Sequence, residues 1–191
     1  MLQGYDTPFD ILLDYAAKSR ACSVELNDHE SPAEMYSGVG FTLDDQTYLI
    51  AIDDLTEIIN APHFTKIPRL KSYVCGVANI RGSIVPVVDL MLFFKKTSSR
   101  IARLRRLLVI EYKETYTGLL VDDILGMQHF PTAQYQTELP KTIDTEIAPF
   151  LNGCYWRASN EQTLSEVKKE LFPVFNTQLL LSNENIENLA N

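Results

Sequence analysis

Asn79-Ile80-Arg81-Gly82 interrupts an apolar stretch of this chain, which resumes at once as Ser83-Ile84-Val85-Pro86-Val87-Val88-Asp89-Leu90. A guanidinium on a turn between two strand-like runs makes and breaks no bonds. It is a planar, permanently charged fork of donors, suited to holding a carboxylate on a partner or to locking two pieces of a fold together. The other groups that could do chemistry do not converge. Asp122-Asp123 is a carboxylate pair at a strand end, a pattern that fits a hairpin turn better than a metal site. His29, His63 and His129 have no H-x-x-x-H partner, and His129 is the one that could face a barrel interior. Cys22, Cys75 and Cys154 are odd in number and contain no C-x-x-C, which fits neither a disulfide framework nor a zinc site. Gly38-Val39-Gly40 leads into a strand instead of opening a helix, so no phosphate loop is present. Without a nucleophile, base and orienting group in one pattern, no enzyme, metal or cofactor is expected.

The elements that must position Arg81 read as short strands. Residues 84–90 have the β-branched content of a buried strand, and Gly82 supplies the turn's conformational freedom. Pro86 lacks a ladder donor, which predicts an edge strand or a bulge, and an edge beside a charged turn suits docking. Strands are predicted near 38–43, 47–53, 84–90, 106–112, 116–121 and 124–129, with hairpin turns at Asp44-Asp45-Gln46 and Lys113-Glu114-Thr115. Residues 53–59 read equally as a short helix or a strand extension. Strands of this length and spacing predict small β-barrels. A polar connection follows over 131–148, then a strand over 150–157, a charged stretch over 160–170 and helical turns over 177–189. At the other end, 1–22 reads as a helix capped by Asp6 or Thr7, with Pro8 at its first position. Its stripe of Phe9, Leu12, Leu13 and Ala16 could pack on the chain's own barrel or dock a partner. Residues 23–36 read as a linker.

The 191 residues are 46% hydrophobic, enough for one large domain or two small β subdomains sharing a core. The net charge of −8 disfavours nucleic acid as a partner, because phosphate binding needs a basic face. One basic cluster, Lys95, Lys96, Arg100, Arg103, Arg105 and Arg106 around Ser98-Ser99, reads as a solvated loop. No apolar run reaches the roughly 18 residues of a membrane helix, and the N-terminus carries no secretory pattern. No direct membrane insertion is expected, and the protein is expected in the cytoplasm.

The segment GVANIRGSIVPVVDL resembles the signature of the CheW-like domain, a G-V-x-N-x-R-G-x-x-x-P-V-x-D-L pattern. Residues 40–48 resemble that family's first hairpin, 55–59 the segment after its second strand, Ile67-Pro68 its "IP" before the signature, and 171–175 its closing strand, which makes the charged 160–170 a surface insertion by the same resemblance. The form Pro68-Arg69-Leu70-Lys71-Ser72-Tyr73 before GVANIRG is similar to that of adaptors in chemotaxis-like systems controlling type IV pili. The resemblance implies a mainly β fold of two five-stranded, SH3-like barrels over 37–183, with 1–36 as an added helix and linker and 184–191 as a tail. It implies a non-catalytic adaptor without cofactors, joining the cytoplasmic tip of a methyl-accepting chemoreceptor to the regulatory domain of a CheA-type histidine kinase, in membrane arrays at the cell pole. By the same resemblance Arg81 is central and pairs with Glu57, either bracing the strand and turn or touching the receptor. Leu55 and Ile58 supply the apolar part of the same groove, with Ile80 beside them and Val85 and Val87 behind. Asn79 and Gly82 set the turn, Pro86 shapes the strand, and Asp89 caps or pairs locally. Met91 departs from the family, which frequently has a basic residue there. An adaptor of swimming chemotaxis is the nearer alternative, and a barrel binding a small ligand or nucleic acid the more distant one.

Overall fold

Runs such as Tyr48-Leu49-Ile50 and Leu107-Leu108-Val109-Ile110 are apolar at consecutive positions, which a strand sustains when both of its faces are buried. The structure, a computed structural model, shows two such faces. It describes residues 34–97, 104–163 and 166–187, without the side chains of 159–168, 185 and 187. The expected helix over 1–22, the linker up to Ala33, the loop bearing Arg100 and Arg103, and the last residues of the tail lie outside the described residues.

The elements are β1 Met35–Leu43, β2 Gln46–Ala51, β3 Leu55–Asn60, β4 Val74–Ile80, β5 Ser83–Asp89, α1 Leu90–Phe93, β6 Arg106–Tyr112, β7 Thr115–Val121, β8 Asp123–Pro131, β9 Leu151–Thr163, β10 Glu166–Phe175, α2 Thr177–Leu181 and α3 Glu184–Glu187. The ambiguous 53–59 stretch is a three-residue 3-10 turn followed by β3, and the expected insertion over 160–170 is the continuation of the β9–β10 hairpin. In the two-residue turns β1–β2, β4–β5 and β6–β7 both central residues have positive φ, the turn handedness that matches strand twist.

The strands form two five-stranded sheets, ordered β8-β1-β2-β10-β9 and β3-β6-β7-β5-β4. Reading the first from β8 and continuing through β9, β10, β1 and β2 reproduces the second strand by strand, so the two sheets share one topology. Each has one parallel pair, β10 with β2 and β5 with β7. Each also curls until the chain leaving one edge reaches the other. Thr65, after β3, exchanges two backbone hydrogen bonds with Val77 of β4 (2.8 and 3.0 Å), and Gln136, after β8, does so with Cys154 of β9 (2.9 and 2.8 Å). A glycine admits each closure. A Cβ on Gly76 would stand 2.3 Å from the Thr65 carbonyl oxygen, and one on Gly153 2.3 Å from that of Gln136.

The same closure explains Pro86. The strand it belongs to is not at an edge, because β5 lies between β7 and β4. Val77, opposite Pro86, directs both its backbone groups to Thr65, so no donor is asked of the proline on that side. Pairing with β7 begins only at Val87. Pro173 stands in the same situation opposite Cys154. Asp122-Asp123 is likewise not a hairpin. It is the point where the chain leaves β7 in one sheet and enters β8 in the other.

Three cores result. Leu107, Val109, Ala78, Ile80, Val85 and Val87 fill one curled sheet. Leu49, Phe130, Tyr155, Phe172 and Val174 fill the other. The largest lies between the sheets, where Val39, Phe41, Tyr48 and Ile50 meet Val88, Leu108, Ile110 and Val121. Alternation along each strand assigns neighbours to different cores, each buried side chain contributing roughly 1.5–3 kcal/mol. Met91, a family departure, is buried in the inter-sheet core.

Arg105, read from sequence as part of a solvated loop, is only 4% exposed. Its Nη1 and Nη2 donate to the two carboxylate oxygens of Asp89 (2.6 and 2.9 Å), and its Nε lies 3.3 Å from Asp122 Oδ1. Lys96 lies 3.0 Å from Asp44 and 2.9 Å from Asp144. The Glu146 backbone N–H and the Lys96 ammonium hold the Asp144 carboxyl below its usual range. A depressed carboxylate contributes stability above its unfolded pKa and loses it as pH falls through the folded one. Acidification below about pH 4 should therefore remove on the order of 0.5 kcal/mol. That increment should vanish from the pH profile of urea stability in Asp144→Asn.

Candidate functional site

β3 and β4 are the edge strands of the second sheet, and Arg81 spans them. The turn that carries it has φ of 50° at Arg81 and 91° at Gly82, and Asn79 Oδ1 accepts the Gly82 N–H at 2.9 Å. Arg81 Nε and Nη2 donate to one Glu57 carboxylate oxygen at 3.2 and 2.9 Å. The guanidinium side chain is 81% exposed and the carboxylate 20%, so the pair contributes only about 0–1 kcal/mol to the fold. It roofs a cavity of about 120 Å³ lined by Thr56, Ile80, Ser83, Val85, Val109 and Tyr116. Ile84, 67% exposed, projects from the same hairpin and was not singled out in the sequence.

The first sheet has a comparable cross-edge clasp. Arg157 on β9 donates to Gln128 and to the His129 carbonyl on β8, and its guanidinium lies 4.4 Å from the Phe130 ring centre. His129 does not face the barrel interior; it is exposed, with Nδ1 2.9 Å from Ser37 Oγ.

The structure separates residues that sequence reasoning grouped. A bulge between Leu55 and Glu57 shifts the register of β3 on β6. Glu57 and Ile59 oppose Val109 and Leu107 of the barrel interior, whereas Leu55 and Ile58 oppose Ile110 and Leu108 of the inter-sheet core. Leu55 and Ile58 thus lie on the other side of β3 from the Arg81–Glu57 pair. Leu55 packs against the inter-sheet core, while Ile58 is 39% exposed. Ile80, Val85 and Val87 are buried inside the second sheet and support the turn from within.

Ile58 opens onto a second feature, a seam between the sheets. This groove of about 470 Å³ is lined by Ile58, Ile59, Asn60 and Arg106 on one side and Ile124 on the other. Met127, 58% exposed, continues it, because Met127 and Ile124 oppose Val39 and Phe41 on the side of β1 that faces the second sheet. Nothing in the local sequence marks Ile124, Met127 or Arg106 as neighbours of Ile58; only the apposition of β3 and β8 does. The arrangement can hold a partner. Among the described residues no group of His, Cys, Asp or Glu could hold a metal ion. Burial pushes the Cys75 thiol up to about 11, leaving it neutral and unreactive at neutral pH.

Residues 37–183 match the family model described as the CheW-like domain. The chain is 32% identical over 156 residues to the Pseudomonas aeruginosa protein PilI, covering 82% of this chain and 87% of that one. It is 31% identical over 126 residues to FrzA of Myxococcus xanthus, covering 65% and 77%. The crystal structure of the scaffolding protein TtCheW from Thermoanaerobacter tengcongensis superposes with a TM-score of 0.65 at 24% identity, over 83% of this chain and 100% of that one, and so shares the fold.

Proposed function

The chain belongs to the CheW-like domain family, and from that premise we propose that it is a non-catalytic adaptor of a chemosensory system controlling type IV pili. Its partners are the cytoplasmic tip of a methyl-accepting chemoreceptor and the regulatory domain of a CheA-type histidine kinase. The observation that carries this reading is a surface with two exposed apolar features edged by charge. One is the hairpin that carries Arg81, paired with Glu57, and the exposed Ile84. The other is the seam, where Ile58 is the accessible apolar residue and Leu55 supports it from the core. Ile80 acts by holding Arg81 in place. Asn79 and Gly82 shape the turn, and Pro86 and Asp89 fix the strand behind it. Among the described residues no helix is long and apolar enough to cross a membrane. A place in receptor arrays at the cell pole would come through the partners.

Titration of the purified chain against the regulatory domains of its organism's CheA-type kinases, and against a receptor-tip fragment, tests the reading. Saturable binding in the micromolar range, about 8 kcal/mol, is expected for a contact multiplied by array assembly. Arg81→Ala should weaken one of these contacts about tenfold or more while shifting urea stability by less than about 1 kcal/mol. A stability loss matching the affinity loss would make Arg81 a brace only. Failure to bind any kinase domain or receptor tip would overturn the adaptor reading. An adaptor of swimming chemotaxis would show the same fold and contacts with a different kinase, which the same titration separates.

A further inference from the structure

We infer that the buried Asp89–Arg105–Asp122 network is the bolt that sets the angle between the two sheets, and with it the width of the seam. Arg105 is then a positioning residue for partner binding; the binding part of this rests on the seam being a docking site. The network ties together the ends of three strands of the second sheet and reaches a turn of the first. Asp89 ends β5, Arg105 precedes β6, and Asp122 follows β7, whose Leu120 carbonyl also accepts from Arg105 at 3.2 Å. Asp122 then reaches into the other sheet. Its N–H donates to the Thr42 carbonyl at 3.0 Å, and its Oδ2 accepts the Asp44 N–H at 3.0 Å. Arg105 and Asp122 are each 4% exposed and Asp89 is 6% exposed, so the forked hydrogen bonds of Arg105 to Asp89 and its charge contact with Asp122 are both made away from water.

The bolt sits where a shift would be felt. Arg106, one residue after Arg105, lines the seam from the second sheet, and Ile124, two residues after Asp122, lines it from the first. Moving either bolt residue moves one wall. Apolar contacts between sheets are non-directional and tolerate sliding, whereas a forked guanidinium between two carboxylates accepts one geometry. Buried ion networks add little stability over apolar replacements of the same volume, so a role in selecting one arrangement accounts for this one better than a role in stability.

The test uses the full chain carrying spin labels, attached through a click-reactive residue introduced at positions 60 and 127, one on each side of the seam. Pulsed dipolar spectroscopy reads the distance in the free protein. Arg105→Lys keeps the charge but loses the fork; Asp122→Asn keeps the shape but loses a charge. The expected result is a folded protein with a shifted or clearly broadened distance distribution in at least one variant, and at least tenfold weaker binding of the receptor-tip fragment by the unlabelled variant. An unchanged distribution in both variants overturns the bolt, whatever happens to binding. Loss of folding in both overturns it as well, by making the network a folding element. A shifted distribution in a chain whose wild type does not bind the fragment leaves the bolt standing and removes the seam as the docking site.

Discussion

Gly76→Ala is expected to cost roughly 3 kcal/mol or more, with the loss confined at first to the closure of the second sheet. The added Cβ would meet the Thr65 carbonyl oxygen at 2.3 Å and its carbon at 2.8 Å, and both atoms are backbone, so nothing flexible can yield. Relief requires Thr65 to withdraw, which breaks both hydrogen bonds to Val77, each about 1 kcal/mol net. Gly76 also sits at φ +134°, which an L side chain resists by about 1–2 kcal/mol. Urea denaturation gives the total, and amide exchange gives the location: Thr65 and Val77 should lose protection before the rest of the sheet. Gly82→Ala is the control. It has φ +91° but nothing within 4 Å of an added Cβ, so it should cost only about 1–2 kcal/mol. Equal losses at the two positions, with Thr65 and Val77 still protected, would show that closure does not depend on the glycine. Because β4 leads directly to Arg81, the same variant should also disturb the hairpin face.

Asp89→Ala is expected to destabilise by about 3–5 kcal/mol, since it leaves the Arg105 guanidinium buried with half of its charge partners removed. The substitution also removes the cap of α1, where Asp89 Oδ1 accepts the N–H groups of Met91 and Leu92 at 3.0 and 3.3 Å, adding roughly 1 kcal/mol. Asp89→Asn retains a capping oxygen and loses the charge, so it should fall between wild type and Ala. The order wild type, Asn, Ala in urea midpoint is the measurement. A loss below 1 kcal/mol for Ala would mean that Arg105 swings to solvent instead of remaining buried.

Much of this was legible in residues. The hairpin around Arg81 could be read because turn chemistry is local: Asn79 and Gly82 act within four positions of each other. The strands could be read because β-branched and apolar runs are local too. Pro86 was read as marking an edge or a bulge; a bulge does lie nearby in the β4–β5 pairing, and the edge reading fails for an instructive reason. A proline needs only that no donor be asked of it, and whether one is asked depends on Thr65, which is 21 positions upstream in sequence and bonded to the residue opposite. Arg105 was misread because its basic neighbours suggested solvent, while the two carboxylates that bury it come from the ends of other strands.

By itself the sequence determined the β class, most strand positions, the Arg81 turn and, through the signature, the family. Each depends on residue types within a few positions of one another. Tertiary structure alone decided which face of β3 Glu57 and Ile58 take, that β3 and β8 border one seam, and that Arg105 is buried between Asp89 and Asp122. A one-residue bulge reverses the facing of a strand, and burial of a charge depends on partners distant in the chain. Local sequence encodes neither.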